Sequence, residues 1–477
     1  MVVGEITQER DLMIIGGGPG GYNAAIRAAQ LGLNVTLVEQ GELGGVCLNE
    51  GCIPSKVWTY AAKKQAELPH MKELGIDIES PSINLERLLN YKSQVTSQLQ
   101  QGVQSLLKKN QIEVIHGTAT FTGDYRIGVE KGHQFDHYIF NNAIIATGSR
   151  IIQPDYFPAN STRAFVSEEI FQLNEIPNHI IIIGFDYLAL ELVSTYQSFG
   201  SKVTLIIEDH EQLSIDQSIQ KEIIRLFKKK KVHILKQSTI RLVEETKESI
   251  TAYVKKGKEE QAITGSHLLV SGQRKPNVDS LGLDRLGVKQ TVEGRILVNY
   301  KMESTVPSIY AVGDVTEGES LAVKAIKQGK VAAESIANEN PEVDLTFLPL
   351  VAHTNPPIAS VGLTEQEVKM HNIAYQVGQF NLGGNGYSLI SGKKDGLIKV
   401  ISDANTDIIL GVHMVGEGAV ELSSHFVQLL EMAAKIEDVT FPHFAHPSVN
   451  EGLLEAIEAL MGQSIHTTPK QQSQVTT

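Results

Sequence analysis

The sequence predicts an α/β protein with two Rossmann-like nucleotide-binding domains followed by an α+β C-terminal domain. Three observations carry that expectation. An apolar run near the start leads into a glycine-rich turn and a helix-compatible stretch; a second unit of the same kind begins at Ile180; and from about Phe347 the pattern changes to short strands and one long helix. A chain of 477 residues has room for about three such domains, and 42% hydrophobic with 20% charged residues is the make-up of a globular protein.

The first unit is the most fully written. Leu12-Met13-Ile14-Ile15 reads as a strand, Gly16-Gly17-Gly18-Pro19-Gly20-Gly21 as G-x-G-x-x-G, and Asn23-Ala24-Ala25-Ile26-Arg27-Ala28-Ala29 as the following helix. Gly16 allows the tight turn, Gly18 lets backbone N–H groups approach a pyrophosphate, and Gly21 allows close helix–strand packing. The helix N-terminus adds its partial positive charge. A second strand, Val35-Thr36-Leu37-Val38, ends in Glu39, the offset at which a carboxylate accepts hydrogen bonds from an adenosine ribose.

Next comes the cysteine segment. The chain has 2 cysteines, and both lie in Gly44-Gly45-Val46-Cys47-Leu48-Asn49-Glu50-Gly51-Cys52-Ile53-Pro54-Ser55-Lys56. A staple closing so short a loop would restrict the unfolded chain little, and no secretory signal is visible to suggest an oxidising compartment. A zinc site needs about four ligands, and no His or Asp cluster flanks the pair. Redox chemistry suits the segment better. Gly51 supplies the irregular turn that brings two side chains five positions apart together, and Pro54 suits an early helical position. Cys52 then lies near a helix N-terminus, where the dipole favours thiolate.

A second strand–turn–helix unit starts at Ile180, so the first domain is expected over 1–150 and 274–346, with the second inserted over 151–273. The third is expected over 347–462, with an alternating strand at Leu397-Ile398-Lys399-Val400-Ile401 and a helical pattern from Ala419 to Lys435. Residues 463–477 are polar and expected to be disordered. The run Lys228-Lys229-Lys230-Lys231 reads as a solvated helix end. A net charge of −13, from 42 basic and 55 acidic side chains, disfavours a nucleic-acid role. The apolar runs, such as Ile180-Ile181-Ile182-Ile183, are strand-sized and none approaches a membrane span.

Further stretches appear in order: Gly117-Thr118-Ala119-Thr120-Phe121, Ala146-Thr147-Gly148-Ser149, Ile309-Tyr310-Ala311-Val312-Gly313-Asp314, Pro356-Pro357-Ile358-Ala359-Ser360-Val361-Gly362-Leu363-Thr364-Glu365 and His446-Pro447-Ser448-Val449-Asn450-Glu451. With the cysteine segment, they make the sequence resemble the flavin-dependent pyridine nucleotide-disulfide oxidoreductases over nearly its whole length. The resemblance implies FAD in the first domain, held by Gly16, Gly18, Gly21, Glu39, Gly45, Lys56, Gly117, Gly148, Asp314 and Ala322. It implies NAD in the second, at Gly184, Tyr187, Ala189, Glu208 and Gly272, and a C-terminal domain that forms a homodimer. Cys47 and Cys52 become a redox-active disulfide, and Lys56 pairs with Glu191 near the reactive edge of the flavin. His446 becomes the base, oriented by Glu451, and reaches the disulfide of the other subunit. No metal is implied.

The implied substrate is a dithiol such as dihydrolipoamide, carried on a lipoyl carrier protein or a 2-oxoacid dehydrogenase complex in the cytoplasm. Attack at Cys47 would leave Cys52 as the thiolate facing the flavin, with electrons passing through FAD to NAD+. Three alternatives share the motifs: a reductase of another low-molecular-weight disulfide, a flavoprotein with an electron partner other than NAD, and a non-catalytic subunit. The second turn motivates the last two. It reads Gly184-Phe185-Asp186-Tyr187-Leu188-Ala189, so Asp186 replaces the glycine over which a pyrophosphate should pass. Counting 23 residues from Gly16 reaches Glu39, whereas the same count from Gly184 reaches Ile207, with Glu208 one position later. Gln273 also stands where the family commonly has glycine before Arg274. Glu208-Asp209 offers no cation for a 2′-phosphate, which disfavours NADP.

Overall fold

The structure, a computed structural model, describes residues 8–79, 81–166, 169–208 and 213–467. Three sheets organise it. In the first, the strands Glu113–His116, Val35–Glu39, Gln8–Ile15 and Gln134–Ile145 lie side by side in parallel. Gln134–Ile145 is long enough to serve two partners on its other edge. Its first half pairs antiparallel with Arg126–Lys131, and its last residues pair parallel with Ile309–Ala311. A segment from beyond the second unit therefore completes the first sheet.

Leu12, Met13 and Ile14 have no exposed surface, as befits parallel strands covered on both faces. One cover is the helix Pro19–Gln30, which lays Ala24, Ala25 and Ala28 inward. It packs on the helix Ala322–Ile336, where a Cβ on Gly329 would collide with the Gly20 carbonyl. The two helices meet backbone to backbone.

The second sheet runs Glu259–Gly265, Ile250–Lys256, His233–Glu245, Lys202–Glu208, His179–Ile183, His267–Val270 and Ala164–Val166. A two-stranded crossing, Ser149–Ile151 with Arg274–Pro276, joins it to the first. The third sheet is antiparallel, ordered Leu350–Ala352, Ile358–Gly362, Ile409–Val415, Leu397–Asp403 and Tyr375–Asn381. The helices Ala419–Glu431 and Glu451–Glu458 supply Phe426, Leu430, Leu453 and Ile457 to its core.

Three local expectations change. The strand at Leu397–Asp403 does not alternate between core and solvent: Ile398, Lys399, Val400 and Ile401 all have no exposure. Lys399 is buried because its ammonium bonds both carboxylate oxygens of Asp216, at 2.9 Å each, and Glu365 at 2.6 Å. The lysine run is not wholly solvated either, since Lys229 pairs with Asp395 at 2.8 Å and Lys230 donates to the Asn355 carbonyl at 2.7 Å. At the polar end, Glu455 accepts bonds from Ser464 and from the backbone of Ile465 and His466, which ties that stretch to the last helix. Residues 468–477, the rest of the stretch expected to be disordered, lie outside the described residues. Among the described residues, no helix is long and apolar enough to cross a membrane.

Candidate active site

The cysteine segment folds as two short turns of helix against the first glycine-rich loop. Gly44 and Gly45 both take left-handed backbone, φ +99° and +58°, and a Cβ on Gly45 would lie 2.8 Å from Gly18 Cα. Only glycine lets the two loops touch. The helix Gly45–Asn49 carries Cys47, and Cys52 opens the helix Cys52–Glu73. The Gly51 amide turns back to the Val46 carbonyl at 2.7 Å, and this irregular link brings the two sulfurs together.

Both cysteines are half-buried free thiols. The hydrogen bond with Cys47, reinforced by the Lys56 ammonium, holds the Cys52 thiol below its ordinary range against the opposing effect of burial. The same bond and burial push the Cys47 thiol up. The two thiols are thus pushed in opposite directions, Cys47 up and Cys52 down.

These residues open onto a cavity of about 910 Å³. Gly16, Gly18, Glu39, Gly45, Cys47, Cys52, Lys56, Gly117, Gly148, Tyr187, Asp314 and Ala322 all line it. Gly21 stands behind the wall, where a Cβ would collide with the Gly16 carbonyl. The helix that starts at Pro19 has Gly18 as its N-cap with no side-chain cap, so its first N–H groups face the cavity unclaimed by protein side chains. Glu39 accepts from the Gly17 and Gly41 amides at 2.6 and 2.7 Å, which fixes its carboxylate at the rim.

Lys56 pairs with Glu191 at 2.8 Å, and Glu191, with no exposure, also accepts from the His353 amide at 2.8 Å. The pair joins the cysteine helix to the helix Tyr187–Ser198 of the second unit and to the third sheet. Tyr187 sits at the start of that helix, its ring 6.0 Å from the Lys56 ammonium.

Two groups of cavity residues were not assigned from sequence. Ser149 donates to Asp314 at 2.6 Å and receives a bond from Arg274 at 2.8 Å, so the residues of the domain crossing orient Asp314. Ser149 stood in a motif already noted, and its serine after Gly148 was the available signal. His353 lines the cavity near the Lys56–Glu191 pair, its pKa lowered by burial and by Lys56. It sits in an ordinary-looking strand end, and nothing local in the sequence marks it.

His446 is elsewhere. It bonds Glu451 through Nδ1 at 2.8 Å, while Glu451 also accepts from the Ser448 amide. Burial alone would raise the Glu451 carboxyl, but those bonds hold it below the usual range. The His446 side chain is 82% exposed and is not among the residues that line the cysteine cavity.

At the second turn, Gly184 has φ +135° and its Cβ position is blocked by the Ser271 carbonyl at 2.7 Å. Ala189 is fully buried. Asp186 is the N-cap of the helix Tyr187–Ser198 and accepts from the Ala189 amide at 2.8 Å and from the Ser271 hydroxyl at 2.6 Å. Gly272 follows with φ +148°. On the strand Lys202–Glu208, Ile207 is 6% exposed, and the pairing register shifts between Ile207 and Glu208. Glu208 is half-buried, with the Tyr156 hydroxyl at 3.4 Å. Asp209 lies outside the described residues.

Residues 10–329 match the family model described as pyridine nucleotide-disulphide oxidoreductase, and residues 348–457 match the dimerisation domain of that family. The chain belongs to the pyridine nucleotide-disulphide oxidoreductases. Within this family it is 37% identical over 471 residues to a dihydrolipoyl dehydrogenase of Geobacillus stearothermophilus, covering 98% of this chain and 100% of that one. It is 38% identical to one of Staphylococcus aureus over 98% of this chain and 100% of that one, and 39% identical to one of Thermus scotoductus over 96% and 98%. The fold matches a crystal structure of LpdA from Mycobacterium tuberculosis with TM-score 0.87 and 23% identity, over 94% of this chain and 100% of that one. It also matches the HOCl-induced flavoprotein disulfide reductase RclA from Escherichia coli with TM-score 0.83 and 22% identity, over 94% and 99%. The α/β architecture and the oxidoreductase family expected from the sequence are both upheld.

Proposed function

We propose that this chain is an FAD-dependent disulfide oxidoreductase that oxidises dihydrolipoamide, the activity named for its curated relatives, with NAD+ as the expected acceptor. One observation carries the reading: two cysteines hydrogen-bonded to each other stand in the wall of a cavity whose glycine-rich lining suits a dinucleotide. The residues fit FAD. Gly18 presents open backbone, the helix behind it is uncapped, and Gly45, Gly117, Gly148, Asp314 and Ala322 surround the same cavity. Bound there, FAD supplies a two-electron carrier beside Cys52.

The side chains divide the rest of the work. With the pair oxidised, a substrate thiolate attacks Cys47, forming a mixed disulfide and releasing Cys52 as a thiolate stabilised by Lys56. The second substrate thiolate then attacks the mixed disulfide, closes the substrate's own disulfide and frees Cys47, which takes up a proton. Two electrons leave the substrate and two sulfurs of the protein are reduced. His446, held by Glu451, is the base that accepts the substrate thiol protons.

The match to the dimerisation domain supports a homodimer. The exposed His446 then serves the cysteines of the partner subunit. The dithiol would be presented on a lipoyl carrier protein or a 2-oxoacid dehydrogenase complex, in the cytoplasm, where thiol pairs remain reducible.

The test is anaerobic. Dihydrolipoamide added to the FAD-loaded dimer should reduce the cysteine pair and raise a long-wavelength band from the Cys52 thiolate to the oxidised flavin. Reduction by a glutathione-type thiol in preference to dihydrolipoamide would move the substrate to another low-molecular-weight disulfide.

A further inference from the structure

We infer that Asp186 occupies the place a dinucleotide pyrophosphate would take in the second unit, and that this carboxylate sets a weak affinity for NAD(H). The inference rests on the second unit being the pyridine-nucleotide side of the enzyme, and it adds the residue that limits that side.

The chain holds its own control. Both glycine-rich turns join a parallel strand to a 12-residue helix, and both begin with a glycine of positive φ whose Cβ position is blocked by backbone. They differ at the third position of the turn. In the first unit this is Gly18, whose Cβ position has only the Gly45 Cα, at 3.8 Å, as a neighbour, and no side chain caps the helix. Its amide groups are left for an anion. In the second unit Asp186 caps the helix through the Ala189 amide at 2.8 Å. Its other carboxylate oxygen is held by the Ser271 hydroxyl at 2.6 Å. The helix terminus that would bind a phosphate already has a carboxylate fixed on it from two sides.

A pyrophosphate would have to displace that carboxylate or lie beside it, like charge against like charge in a half-buried position. The ribose end offers no compensation at the matching strand position, where Ile207 is an apolar, 6% exposed side chain and Glu39 is an acid. Two independent positions thus depart in the same direction, while the first unit keeps Gly18 in the turn and Glu39 at the strand end.

Direct binding tests the inference. NAD+, which has no hydride to give to the oxidised flavin, is titrated by calorimetry into the FAD-loaded dimer of the wild type, Asp186→Gly and Asp186→Asn. Glycine is an acceptable N-cap, so the helix should persist. An intact bound-flavin spectrum checks the fold of each variant. The expected result is that Asp186→Gly tightens NAD+ binding about tenfold or more, with Asp186→Asn, which keeps a capping oxygen but loses the charge, falling between. Dissociation constants within about twofold of wild type for both variants would overturn the inference. Reduction of wild-type flavin by dihydrolipoamide is read separately. Its failure would sink the substrate assignment and leave the binding comparison intact.

Discussion

Two neighbours hold the Cys52 thiol below its ordinary range, and they can be separated. The largest influence is the hydrogen bond from Cys47, with the Lys56 charge behind it. Cys47→Ala should therefore raise the Cys52 pKa towards the ordinary thiol range, and the pH at which its alkylation by iodoacetamide becomes fast should rise with it. An unchanged alkylation profile would shift the credit to Lys56. Glu191 poses a different problem, being fully buried with the partly exposed Lys56 and the His353 amide as partners. Glu191→Gln keeps the acceptor for His353 but removes the counter-charge of Lys56, and should lower stability by about 1–3 kcal/mol in denaturant unfolding. At this scale the sequence was most legible where chemistry sits in consecutive residues: the glycines and both cysteines needed no long-range information. Ser149, Arg274 and His353 join the site through contacts that cross the domains, and their types alone do not announce it.

The two strand–turn–helix elements show how much one residue decides. The same backbone leads into an uncapped helix at Gly18 and a capped one at Asp186, and the difference is legible in the sequence itself. Lys399 shows the reverse. Its place in an apolar strand suggested a solvent-facing lysine, but Asp216, a helix cap 183 residues away, and Glu365, 34 residues away, draw it into the core. That cluster bolts the second unit to the third sheet, and it should make the junction acid-sensitive. Burial would raise the Glu365 carboxyl, but the bonds from Lys369 and Lys399 hold it down at about 2, against 4.5 ordinarily, and Asp216 is lowered likewise. A carboxylate depressed on folding adds stability above its unfolded value and loses it as pH falls through the folded one. Denaturant midpoints should thus fall between about pH 4.5 and 2, and Lys399→Met should flatten the part of that fall owed to this cluster. A fall of the same steepness in Lys399→Met would assign the acid sensitivity to other carboxylates.

For the whole molecule the decisive fact is a separation. The thiol pair, Lys56 and Glu191 converge on one cavity, while His446 and Glu451 lie on another part of the surface with the imidazole 82% exposed. A base so placed serves the cysteines only if a second copy brings it to them, and the order of residues along the chain could not reveal that geometry. Two inactive variants make the arrangement measurable. On the proposed mechanism Cys47→Ser removes the exchanging sulfur and His446→Gln removes the base. In a dimer with one chain of each kind, the His446→Gln chain still has both cysteines and the Cys47→Ser chain still has its histidine. If the site is built across the interface, these meet in one of the two sites, and random pairing makes about half of the dimers mixed. Co-expressed variants should then recover about a quarter of wild-type dihydrolipoamide oxidation, from parents that each have almost none. If cysteines and base act within one chain, every chain in the mixture carries a defect and no activity returns, so the two arrangements cannot give the same result.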